Sequence, residues 1–161
     1  MMLGFKRRFA PFVRDGSKRH TIRAKRVYVP RVGEICHCYV DPRQKSMALL
    51  GRWPCVRVQD FLLFNSPLQC FIAVDGVILD REERNLLAYR DGFRTPDLPP
   101  EADANFQAML EFWAPRLNES PRWSGDIIHW DYDHPVRGTS RRRKPGRAPS
   151  PDCPNTKRRP R

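Results

Sequence analysis

The residues best suited to chemistry lie in one short segment, 16–23, which reads Gly-Ser-Lys-Arg-His-Thr-Ile-Arg. The amine of Lys18 and the hydroxyl of Thr21 are three residues apart and follow a glycine, so they can converge if the chain bends there. A threonine hydroxyl is a weak nucleophile unless a neighbouring base activates it. A lysine can act as that base when burial and nearby cations lower its pKa. The segment therefore predicts hydroxyl activation or, through its cations, anion binding.

The same segment also permits a purely structural interpretation, a solvated basic loop that leads into an ordinary strand containing Thr21. Spacing alone favours this interpretation, because runs of charge usually form solvated faces. Other catalytic motifs are missing from the sequence, which has no P-loop, no G-x-G-x-x-G and no G-x-S-x-G. Binding of nucleoside triphosphates or dinucleotides and the usual serine-hydrolase chemistry are therefore disfavoured.

Metal binding is the next chemistry to consider, because cysteine and histidine occur together at 36–38. Structural zinc sites use two pairs of closely spaced ligands. Here one C-x-C pair is followed by solitary cysteines, and the total of five is odd. Free cysteine usually behaves as a small hydrophobic residue. We therefore expect reduced thiols, no disulfide framework, no metal and no organic cofactor.

Short strands and helices must position these groups. Apolar alternation predicts strands, and 3.6-residue periodicity with capping residues predicts helices. The predicted strands cover 2–6, 20–23, 35–40, 55–64, 70–74 and 126–130, and the predicted helices cover about 9–13, 81–90 and 100–113. Strands at short intervals without a regular βαβ rhythm indicate an α+β fold, here a small barrel flanked by helices.

Two of the helices carry clear local signals. Asp80 is followed three residues later by Glu83, the spacing of a capping box before helix 81–90, and Gly92 is suited to end that helix. In helix 100–113 an apolar stripe at i, i+3, i+4 and i+7 predicts a side that faces the core. Its members are Phe106, Met109, Leu110 and Trp113. We assign this stripe to the core and to no chemistry.

The positive charge belongs to the two ends of the chain. The formal net charge is +12, yet 1–31 and 136–161 each carry ten Lys or Arg against a single acid, and the middle is acidic. The segment 134–161 is rich in proline and almost free of large apolar side chains, so we expect a disordered basic tail. Such a tail attracts polyanions through counterion release, and RNA is the kind of partner it favours. A merely solubilising extension is the alternative.

No segment approaches the roughly 18 to 20 apolar residues that a membrane span requires. The N-terminus also lacks the apolar core of a secretory signal. We therefore expect a soluble, cytoplasmic protein with no membrane partner. Hydrophobic residues make up 40% of the chain, which suffices for one packed domain, here 1–133. The oligomeric state does not follow from the sequence.

A set of motifs in a fixed order resembles the ASCH domain, a family of the PUA-like superfamily of small β-barrels. The motifs are Gly-x-Lys-x-x-Thr-Ile-Arg at 16–23, Val-Gly-Glu at 32–34, Ala-x-x-Asp-Gly-Phe at 88–93 and Gly-Asp-Ile-Ile-x-Trp at 125–130, preceded by Phe9 and Phe12. The resemblance covers about residues 5–131 and leaves the tail outside. It implies an α+β, PUA-like barrel of five or six strands flanked by two or three helices.

The resemblance also implies a cleft that faces RNA or a modified nucleoside. In the bacterial members that hydrolyse N4-acetylcytidine, a lysine, a threonine and a later acid act together, and those positions fall here on Lys18, Thr21 and Asp91. The bacterial enzymes carry glutamate where this chain has Asp91. The alternative role for Asp91 is to cap the end of helix 81–90.

Two other functions could use the same cleft. The candidates for binding substrate or RNA are the nearby basic residues Arg19, His20, Arg23, Lys25 and Arg26. A non-catalytic RNA-binding module would place the arginines and the lysine on phosphates and stack a base on Tyr28 or Trp53. A ribonuclease would need a base beside a 2′-hydroxyl, and His20 is the residue of the segment suited to that role near neutral pH.

Overall fold

The structure, a computed structural model, describes residues 1–28 and 30–136; most of the expected basic tail, 137–161, lies outside the described residues. Within these residues seven strands and three α-helices follow one another, with a 3-10 turn (Arg7–Phe9) before the first helix. They are β1 (Met2–Phe5), α1 (Ala10–Arg14), β2 (His20–Ala24), β3 (Ile35–Val40), β4 (Ala48–Asn65), β5 (Cys70–Val74), β6 (Val77–Ile78), α2 (Arg81–Arg90), α3 (Asp103–Leu117) and β7 (Arg122–Trp130). The predicted α+β class is confirmed.

One mixed sheet contains all seven strands of the described part of the chain, and the long strand β4 lies at its centre. The first part of β4 pairs with β3, which pairs in parallel with β1, and its second part pairs with β7 on one edge and β5 on the other. The strand β2 pairs with β7, where Thr21 lies opposite Ile128. Among the described residues no ladder joins β1 to β2, so this sheet of seven strands is open, whereas the sequence analysis expected a barrel of five or six strands.

The elements that differ from the sequence prediction have local reasons. β4 begins at Ala48, seven residues before the predicted start, because Gly51 and Pro54 are poor strand formers that hide its first part. β7 likewise begins four residues early, ahead of Gly125. α3 starts at residue 103 and continues to 117 although Pro115 cannot donate a main-chain hydrogen bond within it.

The two longer helices are anchored as their sequences predict. In the capping box of α2 the Glu83 N–H donates to Oδ1 of Asp80 at 2.8 Å, and the Asp80 N–H donates to Oε2 of Glu83 at 3.0 Å. In α3 the apolar stripe is buried in the core at Phe106, Met109 and Trp113, whereas its fourth member is half-buried. None of the described helices combines the length and the apolarity that crossing a membrane requires.

Candidate active site

The side chains of Lys18 and Asp91 meet in the core, although 73 residues separate them in the chain. Lys18 belongs to the turn between α1 and β2, where its N–H donates to the carbonyl oxygen of Phe12 at 2.8 Å. Its Nζ forms an ion pair with Oδ1 of Asp91 and donates to the main-chain oxygen of the same residue at 2.5 Å. Lys18 is 2% exposed and Asp91 is 5% exposed, so the pair is shielded from bulk water.

Asp91 lies both at the end of α2 and beside Lys18, the two positions that the sequence analysis considered for it. Its N–H donates to the carbonyl oxygen of Leu87 at 2.9 Å, so its main chain caps the end of α2. Its carboxylate meanwhile pairs with Lys18. Gly92, the next residue, has a φ of +92°, and this left-handed conformation ends the helix. The helix end therefore determines where the carboxylate lies.

We expect Gly92→Ala to destabilise the protein by about 2–4 kcal/mol, because two costs add. A left-handed alanine is strained by about 1 kcal/mol, and overpacking a core contact typically costs about 1–3 kcal/mol. The added Cβ would lie 2.8 Å from Cδ1 of Phe9. Urea unfolding measures the loss.

Gly33→Ala is the matched control, because Gly33 has a φ of +86° but no atom within 4 Å of the added Cβ. We expect it to cost about 1 kcal/mol, the backbone strain alone. Equal losses for the two variants would mean that the contact between Gly92 and Phe9 has no role in holding the end of α2.

Burial shifts both members of the Lys18–Asp91 pair toward their neutral forms. Desolvation lowers the pKa of Lys18 to about 8, although the nearby Asp91 carboxylate opposes the shift. Desolvation also raises the pKa of Asp91, against the opposing charges of Lys18 and Arg23. A lysine with a pKa of about 8 has an appreciable fraction of neutral amine near neutral pH. Lys18 can therefore accept a proton from a hydroxyl group.

A cavity of about 180 Å³ lies between β1 and β2, and the Lys18–Asp91 pair forms part of its wall. Thr21, which is 4% exposed, lines the same cavity. The structure thus brings together the three residues of the predicted catalytic set. The remaining wall is largely aromatic, with contributions from Phe5, Phe9, Phe93, Phe112 and Trp113.

The edge of β2 that faces the cavity also faces the Asp91 carboxylate. The carbonyl oxygen of Arg19 accepts from the N–H of Trp130 at 3.0 Å, so by alternation the main-chain groups of Ile22 point to the other, open edge. The Ile22 N–H faces the Asp91 carboxylate and acts to lower its pKa. The open strand edge and Lys18 therefore both stabilise the charged carboxylate.

Of the five basic residues predicted to bind substrate or RNA, Arg23 is the one that lines the cavity. Its Nη2 donates to the carbonyl oxygen of Gly4, which bridges the gap between β2 and β1. Its guanidinium carbon lies 5.2 Å from the centre of the Phe5 ring. Its Nε is buried and has no acceptor among the described residues.

Three of the other predicted binding residues lie outside the cavity lining. Arg19 is exposed and forms an ion pair with Asp133 at 2.7 Å. Lys25 forms an ion pair with Asp126 at 2.5 Å and contacts a second aspartate. Arg26 is exposed and does not contribute to the cavity. Carboxylates from distant parts of the chain therefore neutralise two cations that the sequence presents as free.

The two aromatic residues proposed for base stacking also lie outside the cavity lining. Trp53 is 5% exposed, and its ring stacks on Trp130 and Tyr132, so it belongs to the core. The prediction that Trp53 offers a stacking surface is therefore wrong. Tyr28 is exposed, and its hydroxyl donates to Glu34 at 3.4 Å.

His20 is buried and lines a second cavity, of about 520 Å³, next to His129 on β7. Its Nε2 lies 3.8 Å from Oδ1 of Asp91, so the imidazole ring is close to the carboxylate. Burial and the charge of Lys18 hold the pKa of His20 well below its usual value. His20 does not line the cavity that contains Thr21, and the ribonuclease interpretation therefore gains no support from its position.

Sequence reasoning missed several residues of the cavity. Lys6 follows β1, and its Nζ lies 4.6 Å from the centre of the Phe112 ring. Arg116 lies one turn after Trp113 in α3, and its guanidinium carbon is 4.7 Å from that ring. The aromatic residues resemble ordinary core residues in sequence, because helical spacing does not distinguish a core face from a cavity wall. The spacing of Trp113 and Arg116 at i and i+3 was the available signal.

Within residues 1–28 and 30–136 no arrangement of side chains is suited to metal ligation or to cysteine chemistry. No group of three or more His, Cys, Asp or Glu side chains is placed there to hold a metal ion. Cys36, Cys38, Cys55 and Cys70 are free thiols. Burial raises the pKa of Cys36 to about 12, which keeps its thiol protonated and unreactive.

Comparison of this chain with protein-family models, with curated proteins and with solved structures found no match. The interpretation of the site therefore depends on its own geometry: a buried amine with a lowered pKa, a carboxylate that contacts it and a hydroxyl in the same aromatic cavity.

Proposed function

We propose that this chain is an ASCH-type hydrolase directed at RNA or modified nucleosides, which cleaves the acetyl amide of N4-acetylcytidine. The observation that carries the proposal is the buried contact between Lys18 and Asp91 in the wall of a cavity that Thr21 also lines. A buried lysine of lowered pKa beside a hydroxyl is a recognised way to activate a weak nucleophile. The order of the sequence motifs adds support, since it resembles that of the ASCH family.

The first half of the proposed reaction transfers the acetyl group to Thr21. The Thr21 hydroxyl gives its proton to the neutral Nζ of Lys18 while Oγ attacks the acetyl carbon. The carbon–nitrogen bond then breaks, and the Lys18 ammonium gives that proton to N4 of the leaving cytidine. Cytidine departs with a free amino group, and Thr21 carries an acetyl ester.

The second half restores the enzyme. A water molecule attacks the ester carbon, and the Asp91 carboxylate takes one of its protons. As the ester bond breaks, Asp91 returns a proton to Oγ of Thr21, and acetic acid leaves and ionises in solution. The Lys18 contact orients the Asp91 carboxylate for this step, and the aromatic walls offer planar faces against which a base can stack.

Asp91 is one methylene shorter than the glutamate of the bacterial enzymes, and this difference is compatible with the proposal. Lys18 contacts both the carboxylate and the main-chain oxygen of Asp91, so the helix end approaches the amine closely. The Lys18 amine therefore reaches the carboxylate of aspartate in spite of its shorter side chain.

The proposal also assigns the fold to the PUA-like superfamily. Its sheet would then be an opened barrel, with the site at the gap between β1 and β2, where Arg23 reaches the carbonyl oxygen of Gly4. Residues of both strands line the cavity at this gap. The opening of the sheet and the opening of the site would then be the same feature.

Non-catalytic RNA binding is the second candidate, and the cations Lys6, Arg23 and Arg116 around the cavity favour it. The basic segment 137–161 would add affinity through counterion release. RNA affinity measured against salt, with and without residues 137–161, tests this candidate. Specific binding that survives the truncation supports a role for the folded part, and its complete loss would assign RNA binding to the tail.

Turnover of N4-acetylcytidine by the purified full chain is the direct test of the hydrolase proposal. We expect cytidine and acetate in equal amounts, and kcat/KM should rise about tenfold per pH unit up to the pKa of Lys18, about 8, and then level off. The sign follows because only the neutral amine can accept the Thr21 proton. Chromatography of the products between pH 5.5 and 9.5 measures the ratio of cytidine to acetate and the pH dependence of kcat/KM. No turnover on acylated cytidines would disprove the function, and a rate that falls between pH 6 and 8 would exclude Lys18 as the base.

A further inference from the structure

The cavity beside Thr21 has an excess of positive charge. Four of its lining residues are cationic, and one carboxylate, that of Asp91, lies among them. This carboxylate is bound to Lys18. Lys6, Arg23 and Arg116 form no ion pair with any carboxylate in residues 1–28 and 30–136. A neutral nucleoside would leave these three charges uncompensated.

Two donors of the cavity lining also lack acceptors. The Nε of Arg23 and the Nε1 of Trp113 are buried, and neither has a hydrogen-bond partner in the described part of the chain. Buried donors without acceptors are costly, and a ligand that supplies oxygen acceptors would satisfy them. The Trp113 ring belongs to the same wall as Arg116, which stacks on it.

One of the unpaired cations belongs to the same strand as the reacting hydroxyl. Arg23 is two residues beyond Thr21 in β2, a distance of about 6–7 Å along an extended chain. Lys6 and Arg116 rest on aromatic rings of α3 at 4.6 and 4.7 Å from the ring centres, so their charges are held near the cavity. The cavity therefore combines the amine, hydroxyl and acid with three unpaired cations and with the buried Arg23 and Trp113 donors.

We propose that these unpaired cations and donors bind a phosphate group, so that the substrate is a phosphorylated acylated nucleoside, either a free nucleotide or a nucleotide within an RNA strand. The inference rests on the proposed function, because it takes Thr21 as the residue that the acyl group contacts. A phosphate supplies several anionic oxygens, which match the guanidinium groups of Arg23 and Arg116, the Lys6 ammonium and the Trp113 N–H.

The test compares kcat/KM for three substrates: N4-acetylcytidine, its 5′-monophosphate, and a short oligoribonucleotide with one N4-acetylcytidine. We expect the monophosphate to be better than the nucleoside by about tenfold or more, as charge-assisted hydrogen bonds allow. A further gain for the oligoribonucleotide would assign the phosphate to RNA, and no further gain would assign it to a free nucleotide. Equal values for nucleoside and monophosphate, or a preference for the nucleoside, would overturn the proposal.

Variants show which cations produce the preference for the monophosphate over the nucleoside. In Arg116→Met and Lys6→Met the ratio of kcat/KM for monophosphate to nucleoside should fall toward one. Arg81→Met is the matched control, because Arg81 pairs with Asp103 away from the cavity, and it should keep the wild-type ratio. A ratio that falls equally in all three variants would indicate general surface charge rather than a phosphate site.

Binding separates this inference from the function on which it rests. If the wild-type chain turns over none of the three substrates, the hydrolase proposal fails. Calorimetric titration with cytidine and cytidine 5′-monophosphate then tests the phosphate site alone. Affinity for the monophosphate at least tenfold higher, and lost in Arg116→Met, supports a phosphate site, whereas equal affinities exclude it.

Discussion

Lys18→Met should lower kcat/KM on N4-acetylcytidine by about a thousandfold or more. General acid–base catalysis by a positioned side chain typically contributes about 10²–10⁴-fold, and here the same amine both takes the Thr21 proton and returns it to the leaving nitrogen. Methionine keeps much of the length and apolar volume of the side chain but can accept no proton. Stopped assays at saturating and limiting substrate measure the change.

The control for Lys18→Met is Lys45→Met, which removes an equal charge from an exposed position outside the cavity lining. We expect that variant to retain wild-type kinetics. Loss of Lys18 leaves the Asp91 carboxylate buried without its partner, which is destabilising. The double variant Lys18→Met with Asp91→Asn removes that charge, so it should fold by circular dichroism and remain inactive. Wild-type turnover by the folded double variant would refute the role of the pair.

Thr21→Val should reduce turnover to the level of the Lys18 variant, about a thousandfold or more below wild type. The substitution keeps the β-branched shape that suits strand β2 and removes the hydroxyl, so the nucleophile is lost while packing is preserved. Thr21→Ser is the matched variant, because it keeps the hydroxyl, and it should retain a substantial fraction of the activity.

Mass spectrometry of rapidly quenched enzyme separates the nucleophile from a merely structural threonine. The wild type should carry an acetyl adduct on the peptide that contains Thr21, and Thr21→Val should carry none. An active Thr21→Val enzyme would mean that Lys18 and Asp91 activate water directly, without a covalent intermediate. In that case the pH dependence attributed to Lys18 would remain, and the role of Thr21 would have to be abandoned.

Lys6 and Arg116 of the cavity lining and the predicted binding residues Arg19 and Lys25 differ in the charge that they leave available to a ligand. Arg19 and Lys25 are paired with aspartates that lie far away in the chain, whereas Lys6 and Arg116 are not paired with any described carboxylate. Exposed ion pairs contribute little to stability, but they do reduce the charge available to a ligand. Apart from Arg23, the cations of the proposed phosphate site therefore come from residues outside the motif.

Local sequence signals predicted most of the elements that build the site. The capping box at Asp80 and Glu83, the glycine after Asp91 and the apolar stripe of α3 each act through neighbours within one or two turns of chain. Patterns of this range are readable without tertiary structure, because they depend on main-chain torsion and on which face is apolar. The segment with Lys18 and Thr21 belongs to the same class, since its spacing and its turn are local.

The tertiary structure alone decided which charges remain available and which are paired. Whether Lys18 has a lowered pKa depends on its burial and on Asp91, which is 73 residues away. The burial of Trp53 against Trp130 and the neutralisation of Arg19 by Asp133 arise in the same way, from the order of strands in the sheet. Desolvation and Coulomb interaction depend on distance in space rather than on distance along the chain, so residue types and spacing could name the reactive groups but not their surroundings.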